Sequence, residues 1–163
     1  MEIPLNFDAA DAAPEALRLA PVTAADLPLL KRLVRAYCAE DRHSFDEKRQ
    51  PAALAALAAG EPFGRAWLIE LLGRRIGYVV LSWGFSIEAG GREACLDEFY
   101  LLPEARNRGF GRRVLALVED EARAADMRRI FLEVQRHNRA IALYRRAGYA
   151  DHDRFLMSKL LGP

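Results

Sequence analysis

Three apolar runs joined by short glycine turns, then a helix and one more apolar run, constrain this chain more than any other feature. Ala66 to Leu72 and Ile76 to Ser86 flank Gly73-Arg74-Arg75, and Glu88 to Arg92, with Gly90-Gly91, leads on to Glu93 to Leu102. Connections this short read as hairpins, which pair their strands antiparallel. The period then changes. Gly111 to Ala125 carries Val114, Leu117, Val118 and Ala122 on one helical face. Arg129 to Gln135 reads as a strand again, reached through a helical crossover. Hairpins segregated from a single parallel crossover indicate an α+β domain with a mixed, mostly antiparallel central sheet and helices on both faces.

The flanking segments complete that plan. Leu17-Arg18-Leu19-Ala20 alternates and stops at Pro21, as a short first strand does. Thr23 stands as N-cap before the apolar spacing Leu27, Leu30, Val34, Tyr37 and Cys38. A second helix is predicted from Asp46 to Ala59, ending at Gly60-Glu61-Pro62. Asn138 to Ala147 reads as a helix closed by Gly148, and Arg154 to Leu160 as a final strand. Residues 15–163 are read as one domain, and residues 1–14 as a lead-in without the basic and apolar regions of a secretory signal.

Charge and cysteine usage exclude several function classes. The 24 basic residues against 23 acidic ones leave a formal net charge of +1, which gives no global case for nucleic acid or an anionic membrane. No apolar run is long enough to span a bilayer. Cys38 and Cys95 match neither a disulfide framework nor a metal spacing, so a reducing compartment, the cytoplasm, is expected. His43, His137 and His152 also lack ligand spacing, and no metal is inferred. A homodimer is compatible with the sequence.

The stretch Leu102-Pro103-Glu104-Ala105-Arg106-Asn107-Arg108-Gly109-Phe110-Gly111-Arg112-Arg113 joins a strand to a helix N-terminus. Free backbone N–H groups and the positive end of the helix dipole make such a junction an anion site. Gly109 and Gly111 allow close approach and positive φ. Cations at a helix N-terminus are unfavourable by roughly 0.3–1 kcal/mol each, so the clustering of Arg106, Arg108, Arg112 and Arg113 points to an anion that reverses the sign. A P-loop would need a lysine and a hydroxyl that are missing here. A dinucleotide fingerprint would need a third glycine where Val114 stands, although Glu133 lies at a fitting distance downstream.

Arg106-x-x-Gly109-x-Gly111 resembles the acyl-CoA pyrophosphate loop of the GNAT superfamily of N-acetyltransferases. Downstream, Leu132-Glu133-Val134, Asn138, Ala140-x-x-Leu143-Tyr144 and Gly148-Tyr149 resemble the second signature of that family. Asn138 precedes Ala140 by two residues, where the family pattern has three. The resemblance covers residues 17 to 161. It implies a GNAT-like fold, acetyl-CoA as cosubstrate and a primary amine as acceptor. It also implies coenzyme contacts from Arg106, Asn107, Arg108, Gly109, Phe110, Gly111, Arg112 and Arg113, from the backbone of Phe99, Tyr100, Leu101 and Leu102, and from Asn138 and Tyr144.

Acetyl transfer to an amine needs a deprotonated nitrogen and a proton for the leaving thiolate. Cys95-Leu96-Asp97-Glu98-Phe99-Tyr100-Leu101 sets two carboxylates in an apolar strand, where burial raises a carboxyl pKa. Strand alternation lets only one of Asp97 and Glu98 face a given cleft. The resemblance carries the base role to one of the two, with Glu98 favoured, and the general-acid role to Tyr144. Cys95, without a local base, reads as a strand thiol and Tyr149 as core. Glu40, Asp41, Asp46 and Glu47, between the first two helices, are read either as a draw for a cationic amine or as a solvated surface. The mechanism implied is direct attack in a ternary complex on a small-molecule amine. The alternatives are a protein amine, or a non-catalytic acyl-CoA-binding or partner-binding module on the same fold.

Overall fold

The computed structural model describes residues 16–161, so the lead-in expected over 1–14 lies outside the described residues. The chain divides into two compact units, Met1–Glu133 and Val134–Pro163.

The first unit is built on a five-stranded sheet whose spatial order follows the sequence. Its strands are β1 (Leu17–Pro21), β2 (Gly64–Leu71), β3 (Arg74–Ser86), β4 (Gly91–Leu101) and β5 (Arg129–Leu132). The first four pair antiparallel, and β4 and β5 pair parallel through the crossover helix. Helices α1 (Leu27–Glu40) and α2 (Gln50–Ala59) separate β1 from β2, and α3 (Phe110–Ala124) joins β4 to β5.

Both faces of this sheet are buried. Leu30, Leu33, Val34 and Cys38 of α1 and Leu54 of α2 cluster with Ala66, Leu68, Tyr78, Val80 and Tyr100. The residues of opposite parity, Trp67, Ile69, Val79 and Leu81, are equally buried, because successive strand side chains project to opposite faces. On that second face Ala122 of α3 packs with Ala94 and Met127. Phe110, Val114, Leu115, Val118 and Ala122 form the buried stripe of α3, with Leu115 more deeply placed than the expected Leu117. Helices therefore cover both faces, as the alternation of apolar runs demanded.

Capping chemistry moves two helix starts. Thr23 caps a 3₁₀ turn over Ala24–Asp26, its backbone N–H and hydroxyl both donating to Asp26 Oδ2 at 2.9 and 2.7 Å. The helix expected from Asp46 begins at Gln50. Asp46 Oδ1 instead accepts the N–H groups of Lys48 and Arg49 at 2.8 and 3.0 Å, holding a turn that competes with helix.

Two irregularities break the ladders. Ile69 pairs with Gly77 but Glu70 with Arg75, so Ile76 is an extra residue in β3. Val80 pairs with Glu98 but Leu81 with Leu96, so Asp97 is an extra residue in β4. β5 pairs with Glu93 to Leu96 only, which is the part of β4 before that extra residue. The strand expected through Gln135 accordingly ends at Leu132.

In the second unit α4 (Ile141–Arg146) is a short helix that ends at Gly148, with φ 94°. Residues 151–161 form no strand and are exposed. The strand expected over Arg154 to Leu160 finds no other strand to pair with among the described residues of this unit, and an unpaired strand has no ladder to hold it.

Gly77 marks the tightest backbone approach in the sheet. A Cβ there would lie 2.1 Å from the carbonyl oxygen of Tyr100, an atom fixed by β4. Gly77→Ala is expected to lower the unfolding free energy by about 1–3 kcal/mol or more, the range for overpacking. Gly84→Ala, whose Cβ would meet Glu93 Cγ at 3.7 Å and Oε1 at 4.0 Å in ordinary contact, should change it little. Urea denaturation of both variants checks the contrast.

Candidate active site

The extra residue in β4 decides where the two carboxylates go. An added residue shifts the parity of a strand and re-aims the side chains around it. Before it, Leu96 and Ala94 face α3. After it, Glu98 and Tyr100 face α1 and α2. Asp97 and Glu98 both line one cleft with Val34, Gln50, Ala53, Leu54, Leu57 and Val80. Strict alternation excluded that arrangement. The extra residue is the reason it fails.

The cleft holds about 210 Å³. Glu98 sits against Tyr78, whose buried hydroxyl donates to Glu98 Oε2 at 2.7 Å. Burial pushes the Glu98 carboxyl above its ordinary range. The Tyr78 hydrogen bond works against that rise, the Asp97 charge adds to it, and His43 opposes it weakly. Burial also raises Asp97, whose carboxyl is reached by solvent yet enclosed by the cleft. Burial, then the Glu98 charge, drives the Tyr78 phenol far above its usual range, so it stays a donor.

On the side away from β3, β4 pairs with β5 only as far as Leu96. Among the described residues the edge from Asp97 to Leu101 has no ladder partner there. That edge includes Phe99, Tyr100 and Leu101, and it runs past Leu102 towards the start of α3. There Asn107 and Gly109 take left-handed φ values of 59° and 79°, and Gly109 is the N-cap. Gly111 lies inside α3 and is not in the left-handed region, so only Gly109 of the two glycines has the positive φ expected of both. No side chain caps α3 and no acid stands in its first turn. Its first N–H groups therefore lack the usual partners.

The arginines divide in two. Arg106 donates from Nε to the Leu101 carbonyl at 2.8 Å and from Nη2 to Glu40 at 2.9 Å, with its guanidinium 5.2 Å from the Tyr100 ring. Tyr100 donates to the same Glu40 oxygen at 3.2 Å. Arg106 therefore ties the loop to β4 and α1. Arg108 and Arg112 have no ion-pair partner among the described residues, and Arg113 lies over the Phe110 ring at 5.9 Å.

The acids between the helices are also engaged. Glu40 is held by Arg106 and Tyr100, and Asp41 by His43 at 3.7 Å. Asp46 is held by its own turn, and Glu47 by Lys31 and Arg35. Cys95 has its thiol pushed up to about 11, first by burial and then by Asp97, which keeps it protonated near neutrality.

In the second unit Asn138 Oδ1 accepts the Ala140 N–H at 2.8 Å, holding the turn before α4. Tyr144 and Tyr149 meet edge to face at 5.9 Å. Burial pushes the Tyr144 phenol up to about 12. No group of His, Cys, Asp or Glu side chains among the described residues is arranged to hold a metal ion, and no described helix is long and apolar enough to cross a membrane.

Tyr78, Gln50 and the aliphatic wall of the cleft were not picked out from the sequence. The one available signal was the unbroken apolar run of α2, which has too few polar residues for a solvated surface helix.

Because both carboxylates are raised, the fold is favoured while they are protonated and loses stability as pH rises through their folded-state values. Glu98→Gln removes one of these charges. It is expected to melt at a higher temperature than the parent at about pH 8, with the difference narrowing at about pH 4. Thermal melts at the two pH values measure it.

The model of the Acetyltransferase (GNAT) family matches residues 30–149. An IAA acetyltransferase of Azospirillum brasilense is 38% identical over 86 residues, which make up 52% of this chain and 56% of that protein. An uncharacterized N-acetyltransferase of Bacillus subtilis (strain 168) is 32% identical over 90 residues, 55% of this chain and 60% of that protein. The chain thus spans little more than half the length of the curated relatives it matches. The crystal structure of an integron cassette protein from the mobile metagenome of Cole Harbour Salt Marsh superposes with a TM-score of 0.77, at 29% identity over 97% of each chain.

Proposed function

The chain belongs to the Acetyltransferase (GNAT) family, and from that premise we propose that it transfers an acetyl group from acetyl-CoA to a primary amine of a small molecule. The observation that carries this reading is the junction in the first unit. The open edge of β4 after Asp97 runs into the uncapped N-terminus of α3, and two carboxylates with raised pKa lie in the adjoining cleft.

The residues at that junction fit an acyl-coenzyme A. The N–H groups of Phe110, Gly111 and Arg112, with Arg108 and Arg112 beside them, would hold the pyrophosphate. The backbone edge of Phe99 to Leu102 would align the pantetheine arm by strand-like hydrogen bonds. Gly109 lets the loop turn in left-handed φ to present those groups. Acetyl-CoA, when bound, supplies the acetyl group as a thioester, whose C–S bond breaks as the C–N bond to the amine forms.

The chain's own groups move the protons. An alkylamine arrives as an ammonium ion, and Glu98 takes one proton from it directly or through a water. The nitrogen lone pair is then free to attack. Asp97 remains beside Glu98 as a second negative charge that favours the cation's entry. Tyr144 donates its hydroxyl proton to the departing sulfur, a role it takes from its place in the Leu-Tyr signature. A phenol held near 12 stays protonated through neutrality, as a donor must. The second nitrogen proton leaves to solvent as the amide forms, Glu98 gives its own proton to solvent, and Tyr144 regains one from solvent.

Thiol release from acetyl-CoA with a panel of amines tests the reading. The rate should rise with pH through the elevated Glu98 value, because only the carboxylate form acts as base, and Glu98→Gln should lose that limb. Tyr144→Phe keeps the ring and should lower kcat by roughly 10²-fold, near the lower end for general-acid catalysis, with the KM for acetyl-CoA little changed. Equal turnover by the phenylalanine variant overturns the role of Tyr144.

A further inference from the structure

We infer that the amine acceptor is a compact monoamine with an apolar body and no carboxylate, held with its ammonium at Asp97 and Glu98 and its body against α2. The inference rests on the acetyl-transfer reading and deepens it. Its basis is the make-up of the cleft and of everything charged around it.

Of the eight lining residues, Val34, Ala53, Leu54, Leu57 and Val80 are aliphatic. Gln50 is polar, but its amide is engaged at both ends. Its Oε1 accepts the Asp46 N–H at 2.6 Å, and its Nε2 reaches Cys38 Sγ at 3.8 Å. Asp97 and Glu98 are therefore the charged groups of the lining, and they are neighbours in β4. A single ammonium satisfies them. No arginine, lysine or histidine among the described residues lines the cleft, so the carboxylate of an amino acid would lie near Asp97 and Glu98 without a cationic partner in the lining. An unpaired buried charge is strongly unfavourable.

A second ammonium fares no better. Glu40, Asp41, Asp46 and Glu47, between α1 and α2, already hold Arg106, Tyr100, His43, the Asp46 turn, Lys31 and Arg35, and Glu61 beyond α2 accepts the Phe63 N–H at 3.3 Å. Size acts in the same direction. A volume of about 210 Å³ falls below the roughly 300–1,000 Å³ of sites that enclose drug-sized ligands. The cleft accommodates a chain of a few methylenes or one ring. A multi-ring polycation would leave most of its charges outside it.

The test compares pentylamine, 1,5-diaminopentane, 2-aminohexanoic acid and the aminoglycoside sisomicin as acceptors, with thiol release from acetyl-CoA as readout. Pentylamine should exceed each of the others in kcat/KM by about tenfold or more, the penalty for leaving one polar group unpaired. Ala53 is exposed at the wall, so its substitution leaves the core in place. Ala53→Glu should shift the pentylamine to diaminopentane ratio about tenfold towards the diamine, with the KM for acetyl-CoA unchanged. Preference of the parent protein for the diamine, the amino acid or sisomicin overturns the inference and leaves acetyl transfer standing. Thiol release with none of the four overturns acetyl transfer itself, and calorimetric titration with pentylamine then decides the cleft separately. Binding that weakens in Ala53→Phe supports the monoamine site, and absence of binding overturns it.

Discussion

One residue without a partner across the ladder, Asp97, sets the geometry on which the candidate site depends. A regular β4 would carry Ala94, Leu96, Glu98 and Tyr100 on the same face. With the extra residue, Ala94 and Leu96 pack towards α3, while Glu98 and Tyr100 face α1 and α2. The same irregularity coincides with the end of pairing to β5, leaving the rest of β4 with an open edge. Local twist and bending at such a bulge re-aim side chains and terminate pairing together. A cleft with two carboxylates and a backbone edge that leads to the start of α3 are thus two consequences of one insertion.

Charge placement around that geometry is uneven in an informative way. Arg106 is satisfied inside the protein by Glu40, the Leu101 carbonyl and the Tyr100 ring. Arg108 and Arg112 are left to repel the α3 dipole, a cost of roughly 0.3–1 kcal/mol each that a bound anion would reverse. The acids of the α1–α2 connection are engaged locally, while Asp97 and Glu98 line the cleft with no cation in its lining among the described residues. Satisfied charges hold the scaffold together. Arg108 and Arg112 at the loop and the two carboxylates in the cleft stand where ligands of opposite sign fit.

The sheet and its covering helices were legible because hydrophobic period is a local property. Short glycine turns imply hairpins wherever they occur, and the buried stripe of α3 can be counted off at helical spacing. The GNAT signatures were legible for the same reason, being fixed spacings around glycines and Tyr144. The position of Asp97 was not. Ala94, Leu96 and Tyr100 are all apolar, so the strand reads the same whether or not its parity shifts, and only the register against β3 reveals the shift. The commitment of Arg106 to Glu40 joins residues 66 positions apart, which no local pattern encodes. Arg154 to Leu160 has the composition of a strand, but pairing needs a neighbour and the second unit shows none among its described residues. Asn138 shows the opposite case. Its capping of Ala140 follows from two residues of spacing.

The cleft also shows why the most consequential residues of this fold are not its most stabilising ones. Two carboxylates against aliphatic walls are held in a state that burial disfavours, with Tyr78 as the hydrogen-bond donor to one of them. The sheet behind them tolerates this because it is buried on both faces by apolar residues, with Glu70 the one charged residue buried among the described residues. An ammonium ion entering the cleft relieves what the fold leaves unbalanced, and it does so most completely when the rest of the molecule has nothing polar to desolvate. The proposed preference for an apolar body and the raised carboxyl pKa therefore have one origin, the aliphatic surroundings contributed by α1, α2 and β3. Making that wall polar would weaken both together, since water or charge admitted beside Glu98 lowers its pKa and removes the contrast by which one class of amine is chosen over another.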